Sequence, residues 1–439
     1  MTPAGRIEAA IELLGQIETP LRPADQVAAE YFRARRYVGS KDRRAIADLL
    51  YGIVRARARL DWWLAQSKFD GLDVPRGRMI AWLALVEGWD EERLETVFDE
   101  RQYHPKEPSA AERRLAKALH GHTLDHPRQP APVKFEVPEW LYPRLAARFG
   151  TALETELAAL QEEAPLDLRV NALKATREEA RAALARDGIA AEPTPLSPLG
   201  LRVRGRANIA ATDAFRAGLI EVQDEGSQLA ALLVDARPGQ RVCDFCAGAG
   251  GKTLALAARM GNKGQILALD VREGRIERAA QRLRRAGVHN VTRRVLASQR
   301  DPWVKRHRLG FDRVLVDAPC TGCGTWRRNP DAKWNLRESD LAELAALQAD
   351  ILDSAARLVK PGGRLVYATC SLLPEEDEGL LEGFLGSHAD FRPLPAAQIW
   401  AEALGGAAPA NPYSAGPALL LSPGSHKTDG FFIAVLERG

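Results

Sequence analysis

The 439-residue chain has little of what marks a secreted, membrane-bound or fibrous protein. No run approaches the roughly 18 apolar residues that a membrane span needs. The opening stretch, Met1 to Leu14, carries Arg6 and Glu8 and has no apolar signal core. Only five cysteines are present, Cys243, Cys246, Cys320, Cys323 and Cys370. An odd number in such a chain argues for reduced thiols rather than a disulfide framework. There is no internal repeat. Hydrophobic content of 46% and charged content of 27% exclude a disordered or collagen-like composition. A cytoplasmic protein without a membrane contact is expected.

Net charge is also small, +3, so bulk charge does not argue for a nucleic-acid partner. Its distribution says more. Arg33, Arg35, Arg36, Lys41, Arg43, Arg44, Arg55, Arg57 and Arg59 are opposed in their stretch only by Asp42 and Asp48. A second group comprises Arg272, Arg275, Arg278, Arg282, Arg284, Arg285, Arg293 and Arg294. Such arginines solvate helix faces, but two groups flanking one candidate site favour a polyanionic substrate.

At roughly 150 residues per domain the length allows about three domains. Residues 1–125 show apolar positions at three- and four-residue spacing over Ala24 to Arg35, Lys41 to Ala65, Gly77 to Glu87 and Glu91 to Phe98, which predicts an all-helical domain with Ser40 as an N-cap. Residues 126–137, with Pro127, Pro130 and Pro132 ahead of Pro138, predict a linker. Residues 138–238 mix helical and strand patterns and predict a small α+β module. Residues 239–439 alternate strands and helices, which predicts a Rossmann-like, doubly wound parallel sheet. A surface loop is expected over Gly405 to Gly424.

Three motifs carry the chemistry. Asp317-Ala-Pro-Cys320 and Ala368-Thr-Cys-Ser371 each follow a β-like run, so each places a cysteine past the carboxyl end of a strand, the edge where open α/β sheets bind ligands. The third is a Gly-rich turn, Ala247 to Thr253, between a strand and a helix. It is not a phosphate-cradling NTPase loop, since the first glycine of that loop would fall at Cys246. A dinucleotide fingerprint wants glycine at Thr253, although Asp270 lies at the right distance to bind ribose hydroxyls. S-adenosylmethionine needs the same close backbone approach and carboxylate but no pyrophosphate site. The cysteines favour it. Carbon 5 of cytosine becomes nucleophilic when a thiolate adds to carbon 6, and a base must then remove the carbon 5 proton before the thiol leaves. Asp317 facing the ring as a neutral acid would stabilise the developing charge. Spacing does not say whether Cys320 or Cys370 attacks. The pairs Cys243/Cys246 and Cys320/Cys323 also suggest zinc, but they lie too far apart for a compact site, and no metal is expected.

These motifs resemble one family. Residues 246–253 (CAGAGGKT), 317–322 (DAPCTG), 327–334 (RRNPDAKW), 360–371 (KPGGRLVYATCS) followed by the acidic run Glu375 to Glu378, 429–434 (DGFFIA), 168–174 (LRVNALK) and 222–227 (VQDEGS) are together similar to the NOP/Sun family of RNA cytosine-5 methyltransferases. Residues 39–44 (GSKDRR) with Tyr51 and Gly52 resemble the NusB-like RNA-binding domain of bacterial small-subunit rRNA methyltransferases.

The resemblance implies a monomeric enzyme that methylates RNA, 16S rRNA in the first instance and tRNA as the alternative. It assigns attack to Cys370 and release to Cys320. It also implies S-adenosylmethionine contacts from Cys246, Ala247, Gly248, Ala249, Gly250, Gly251, Lys252, Asp270 and Asp317. Ala249 stands where the family usually has proline. Ser298, with Asp301 nearby, stands where a carboxylate usually meets adenine. Arg327, Arg328 and Lys333 are candidates for substrate phosphates or for solvated loop charges, and Trp334 for packing. Two rivals remain: a non-catalytic RNA-binding assembly factor, which would need neither thiol, and a nicotinamide-dependent oxidoreductase, disfavoured by Thr253.

Overall fold

The computed structural model describes residues 1–18, 22–71, 73–414 and 416–439. They form two compact units, Met1–Pro143 with Arg328–Leu336, and Arg144–Arg327 with Arg337–Gly439.

The first unit is helical, with helices Pro3–Glu18, Ala24–Ala34, Ser40–Arg55, Arg57–Gln66, Val74–Leu85, Glu91–Val97 and Ala110–Leu119. Leu13, Ile46, Leu50, Ile53, Leu60, Met79 and Ile80 meet in its core. One long helix was expected over Lys41 to Ala65; the structure breaks it at Ala56. The reason is Glu136, fully buried, whose carboxylate accepts from the Ala58 and Arg59 amides at 2.8 and 3.1 Å and from Arg59 Nε at 2.9 Å. An anion at those first free N–H groups favours starting a new helix there. Ser40 is the first helical residue, with Gly39 in the cap position and no side-chain bond, so the expected cap is absent.

The segment Arg328–Leu336 packs within this helical unit. Asp331 accepts from the Ala24 amide at 3.0 Å, and the Arg57 guanidinium lies 5.7 Å from the Trp334 ring centroid. Lys333 is 2% exposed, and burial lowers its pKa to about 8. It is therefore neither a solvated loop charge nor free to meet a phosphate.

In the second unit, β1 (Leu166–Val170), β2 (Ala191–Pro193), β3 (Gly200–Val203) and β4 (Ile220–Val222) form an antiparallel sheet in the order β2-β3-β1-β4. A larger sheet comprises β5 (Arg241–Asp244), β6 (Gln265–Asp270), β7 (Val291–Val295), β8 (Phe311–Asp317), β9 (Val359–Thr369), β10 (Phe391–Leu394), β11 (Leu419–Leu421) and β12 (Phe431–Arg438). Its order is β10-β12-β9-β8-β5-β6-β7, with β11 beside β12. Strands β5 to β9 are parallel, with helices between them, as an α/β reading requires.

The sheet is mixed, however, not wholly parallel: β12 runs antiparallel to β9, β10 and β11. Hydrophobic pattern marks β12 as a buried strand but carries no information on direction. The surface loop expected over Gly405 to Gly424 is also corrected. Among its described residues, Leu419 to Leu421 form β11 with exposures of at most 1%, and a short helix, Pro423–His426, follows; Ala415 lies outside the described residues. His426 is buried, accepting from the Ser422 amide and bonding the Ala410 carbonyl.

Candidate active site

Strands β8 and β9 are parallel neighbours with Asp317 opposite Ala368. Cys320 and Cys370 therefore emerge at the same edge, and their sulphurs lie 3.4 Å apart. Two thiolates at that distance would repel strongly, so the pair releases one proton far more readily than two. The hydrogen bond to Cys370, reinforced by burial and by Glu376, pushes the Cys320 thiol well up.

The loops carrying the sulphurs are tied to a buried carboxylate. Glu376 is fully buried and accepts from the Thr321 amide (2.8 Å), Thr321 Oγ1 (2.5 Å), Ser371 Oγ (2.5 Å) and Gln348 Nε2 (2.9 Å). One side chain thus binds the residue after Cys320 and the residue after Cys370. Its own carbonyl accepts from Tyr367 Oη at 2.7 Å. Asp377 continues the scaffold: Thr369 Oγ1 donates to it at 2.7 Å, and the Arg148 guanidinium bridges Asp377 and Glu378. Burial pushes the Asp377 carboxyl up despite that arginine.

The 429–434 motif has a packing reason. The Gly430 amide donates to the Gly324 carbonyl at 2.9 Å, and a Cβ on Gly324 would come within 2.4 Å of the Gly430 carbonyl oxygen, so the two backbones meet where only glycine fits. Asp429 pairs with Arg327 at 2.9 Å, and both are buried. Arg327 is therefore a structural ion pair rather than the phosphate ligand or solvated charge expected. Cys323, at 0% exposure, accepts from the Leu372 amide, and burial takes its thiol to about 12.

The Gly-rich turn closes β5 and opens helix Gly251–Arg259. Gly248 and Gly250 take φ of +53° and +81°, left-handed values that favour glycine. The Ala247 amide donates to Leu269 O and the Gly248 amide to Asp270 Oδ2 at 2.9 Å, while Arg272 N donates to Asp270 Oδ1 at 2.8 Å. Each Asp270 oxygen keeps a lone pair for a further donor. Lys252 Nζ lies 2.7 Å from Asp317 Oδ2, joining the turn to the end of β8. Asp317 is thus ion-paired, not standing free as the neutral acid expected from the sequence.

Two arginines clamp the turn from outside. Arg169 of β1 donates to the Gly251 carbonyl at 2.7 Å, and Arg282 donates to the Ala249 carbonyl at 3.0 Å while pairing with Glu221 of β4. Arg285 also pairs with Glu221, so these two arginines of the second basic group serve packing rather than a polyanion.

Sequence reasoning missed Asp244. It is fully buried, Thr253 Oγ1 donates to its Oδ2 at 2.6 Å, and its Oδ1 has no hydrogen-bond partner. Burial raises its pKa to about 7. Its place just before the turn was the available signal. A buried acceptor left open, two left-handed glycines and a helix start without a side-chain cap fit a ligand that brings its own donors and a close approach to backbone. Ser298 is partly exposed beyond β7 and accepts from the Arg300 amide at 3.2 Å. Asp301 caps the short helix that follows, accepting from the Ala297 and Trp303 amides. No group of acids, cysteines and histidines suited to a metal occurs among the described residues, and no described helix is long and apolar enough to cross a membrane.

Residues 231–437 match the family described as 16S rRNA methyltransferase RsmB/F, and residues 137–210 match the ferredoxin-like domain of that family. A probable ribosomal RNA small subunit methyltransferase B from Synechocystis sp. is 32% identical over 414 residues, covering 90% of this chain and 91% of the relative. The chain belongs to the RsmB/F family. The ribosomal RNA small subunit methyltransferase B of Photorhabdus laumondii is 36% identical, but the match spans 58% of each chain. Among solved structures, PH0851 aligns with TM-score 0.80 at 28% identity over 100% of this chain and 99% of its own. A methyltransferase homolog protein from Pyrococcus horikoshii aligns with TM-score 0.60 at 31% identity over 70% and 97%. The NOP/Sun resemblance read from the motifs holds at family level, and the cofactor of this RsmB/F member is S-adenosylmethionine.

Proposed function

We propose that this chain methylates carbon 5 of a cytidine in 16S rRNA through a transient bond from Cys370 Sγ to carbon 6 of the ring. The observation that carries the reading is the sulphur pair: two thiols 3.4 Å apart at the carboxyl ends of adjacent strands, held by one buried carboxylate. A scaffold protein needs neither thiol. The ribosomal substrate is inferred from what the relatives are named for.

In the proposed reaction the Cys370 thiolate adds to carbon 6, and the electrons of the carbon 5–carbon 6 bond move onto carbon 5 and into the ring. Asp317, with Lys252 beside it, faces the ring edge where that charge collects. S-adenosylmethionine, when bound, supplies the methyl group on an electrophilic sulfonium. The turn from Cys246 to Lys252 and Asp270 hold the cofactor, with Ser298 at the adenine end. Release requires loss of the carbon 5 proton and departure of Cys370. Cys320 suits that step: once Cys370 is bonded to carbon 6, the hydrogen bond and charge that push the Cys320 thiol up are gone, so Cys320 loses its proton to solvent and takes the carbon 5 proton as a thiolate. The target base must be unpaired or flipped out, since stacking hides carbon 6. The helical unit, read as NusB-like, and the module of β1 to β4 each contribute RNA-binding surface.

The test is incubation of purified protein with methyl-labelled S-adenosylmethionine and either a 16S rRNA transcript or total tRNA, followed by bisulfite mapping. Label at carbon 5 of one 16S cytidine is expected. Label on another base, or on tRNA alone, would overturn the reading.

A further inference from the structure

Strand β7 is the last strand of the large sheet and, among the described residues, pairs only with β6. Parallel strands are normally covered on both faces, yet Thr292, Arg293, Arg294 and Val295 are all exposed, Val295 at 40%. Successive residues of a strand point to opposite faces. The helix Glu273–Ala286 covers part of one face, where Arg293 donates to the Ile276 carbonyl at 2.8 Å, yet these side chains stay solvent-exposed.

The chain around it is strongly one-signed. Between Val288 and Gly310 lie Arg293, Arg294, Arg300, Lys305, Arg306 and Arg308, against one acid, Asp301. Asp301 accepts from two backbone amides and partly offsets Arg294 and Arg306, and Arg300 is paired with Asp350. Among the described residues no carboxylate pairs with Arg294, Lys305, Arg306 or Arg308. Arg294 lies 5.9 Å from the ring centroid of Trp303, on the short helix that carries Lys305 and Arg306. This differs from the helix Glu273–Ala286 beside it, whose Arg282 and Arg285 share an ion pair with Glu221.

Charged residues on an edge strand also prevent sheet-to-sheet pairing. That purpose is served by either sign, whereas a nearly acid-free ridge is suited to a polyanion. Its distance is suitable too. Four strand spacings separate β7 from β9, which at about 4.8 Å each is roughly 19 Å from the strand that ends at Cys370. Arg294, opposite Leu269 near the carboxyl end of β6, stands at the reacting edge, and the basic run extends from there to Arg308 at the amino end of β8, where the Leu309 amide bonds the Arg357 carbonyl; RNA lying on it would lead away from the reacting edge.

We propose that Arg294, Lys305, Arg306 and Arg308 form a docking surface for the sugar-phosphate backbone of RNA flanking the target cytidine. This rests on the reading of the chain as an RNA methyltransferase. Contacts to phosphate position the RNA without reading its sequence. Their signature is salt dependence: each phosphate neutralised adds roughly 0.7 to 0.9 to the slope of log affinity against log salt.

The experiment measures filter binding of a 16S rRNA transcript to the full chain from low to moderate salt. It compares wild type with R294Q/K305Q/R306Q/R308Q and with the charge-keeping R294K/R306K/R308K. The neutral variant is expected to bind at least tenfold more weakly at low salt, with a slope smaller by about 3, while the lysine variant stays near wild type. Stabilisation by S-adenosylhomocysteine should be the same in all three, since these residues are exposed and away from the turn. Equal binding and equal slope for neutral variant and wild type would overturn the docking surface, including the case in which the ridge serves an acidic protein instead. Ridge-dependent RNA binding without cytidine methylation by the wild type would leave the surface standing and defeat the functional reading alone.

Discussion

Cys320 Sγ and Cys370 Sγ stand 3.4 Å apart, although fifty residues separate them in the chain. Parallel pairing of β8 with β9 brings their loops together, and the Glu376 carboxylate fixes both. That distance does not say which sulphur attacks and which assists release, so the two proposed roles must be separated by experiment.

Cys370→Ala is expected to abolish methyl transfer with cofactor binding intact. Cys320→Ala should instead accumulate a covalent protein–RNA adduct, visible as a shifted band on a denaturing gel. An adduct with Cys370→Ala and none with Cys320→Ala would reverse the assignment.

Glu376→Gln should cost roughly 3 kcal/mol of stability, because a buried carboxylate accepting four bonds is replaced by an amide whose NH2 must face at least one other donor. The sulphur-bearing loops lose their common anchor, so kcat should fall much further than affinity for S-adenosylhomocysteine. Urea unfolding and steady-state kinetics check this; unchanged stability and kcat would remove Glu376 from the account.

Arg169→Met should weaken S-adenosylhomocysteine binding about tenfold, equivalent to about 1.4 kcal/mol. The lost bonds are those from Arg169 to Gln223 Oε1 and to the Gly251 carbonyl, where the Gly-rich turn enters its helix. Burial already brings this guanidinium down to about 10, so its removal also relieves a desolvation cost. Fold stability should therefore change less than cofactor affinity. Titration calorimetry giving wild-type affinity would show that the clamp does not shape the turn.

Asp244 sets a pH dependence. Its folded-state pKa is raised to about 7 by burial, so the folded chain holds this proton more tightly than the unfolded chain. Its contribution to stability is greatest below the unfolded carboxyl value and is lost as pH rises through about 7. Asp244→Asn keeps the bond from Thr253 and does not titrate. The melting temperature of the variant relative to wild type should therefore climb between pH 5 and pH 8, and a constant difference would mean that Asp244 does not carry the proton.

The ends of β8 and β9, the turn at Gly248 to Lys252 and the Asp270 carboxylate were readable because each is a local pattern: a strand run, then residues that a turn or a ligand requires. Other features were not. Arg327 and Lys333 lie in an apparently polar loop, yet Arg327 is paired with Asp429 and Lys333 is buried in the helical unit. Ser40 has the residue type of a cap and does not act as one. Of four consecutive acids after Ser371, one receives every bond from the cysteine loops; nothing in their composition distinguishes Glu376 from Glu375.

Sequence by itself determined the alternation of strands and helices, the family, the Gly-rich strand-to-helix turn and the placing of two cysteines past strand ends, since all of these are written in short-range spacing and residue chemistry. Tertiary structure alone decided the direction of β12, the break at Ala56, the burial of Asp244 and which charges are spent internally and which stay bare along β7. Those outcomes depend on partners far away in the chain. Whether a charge faces water or a counter-charge is a property of the packed neighbourhood, and no local window contains it.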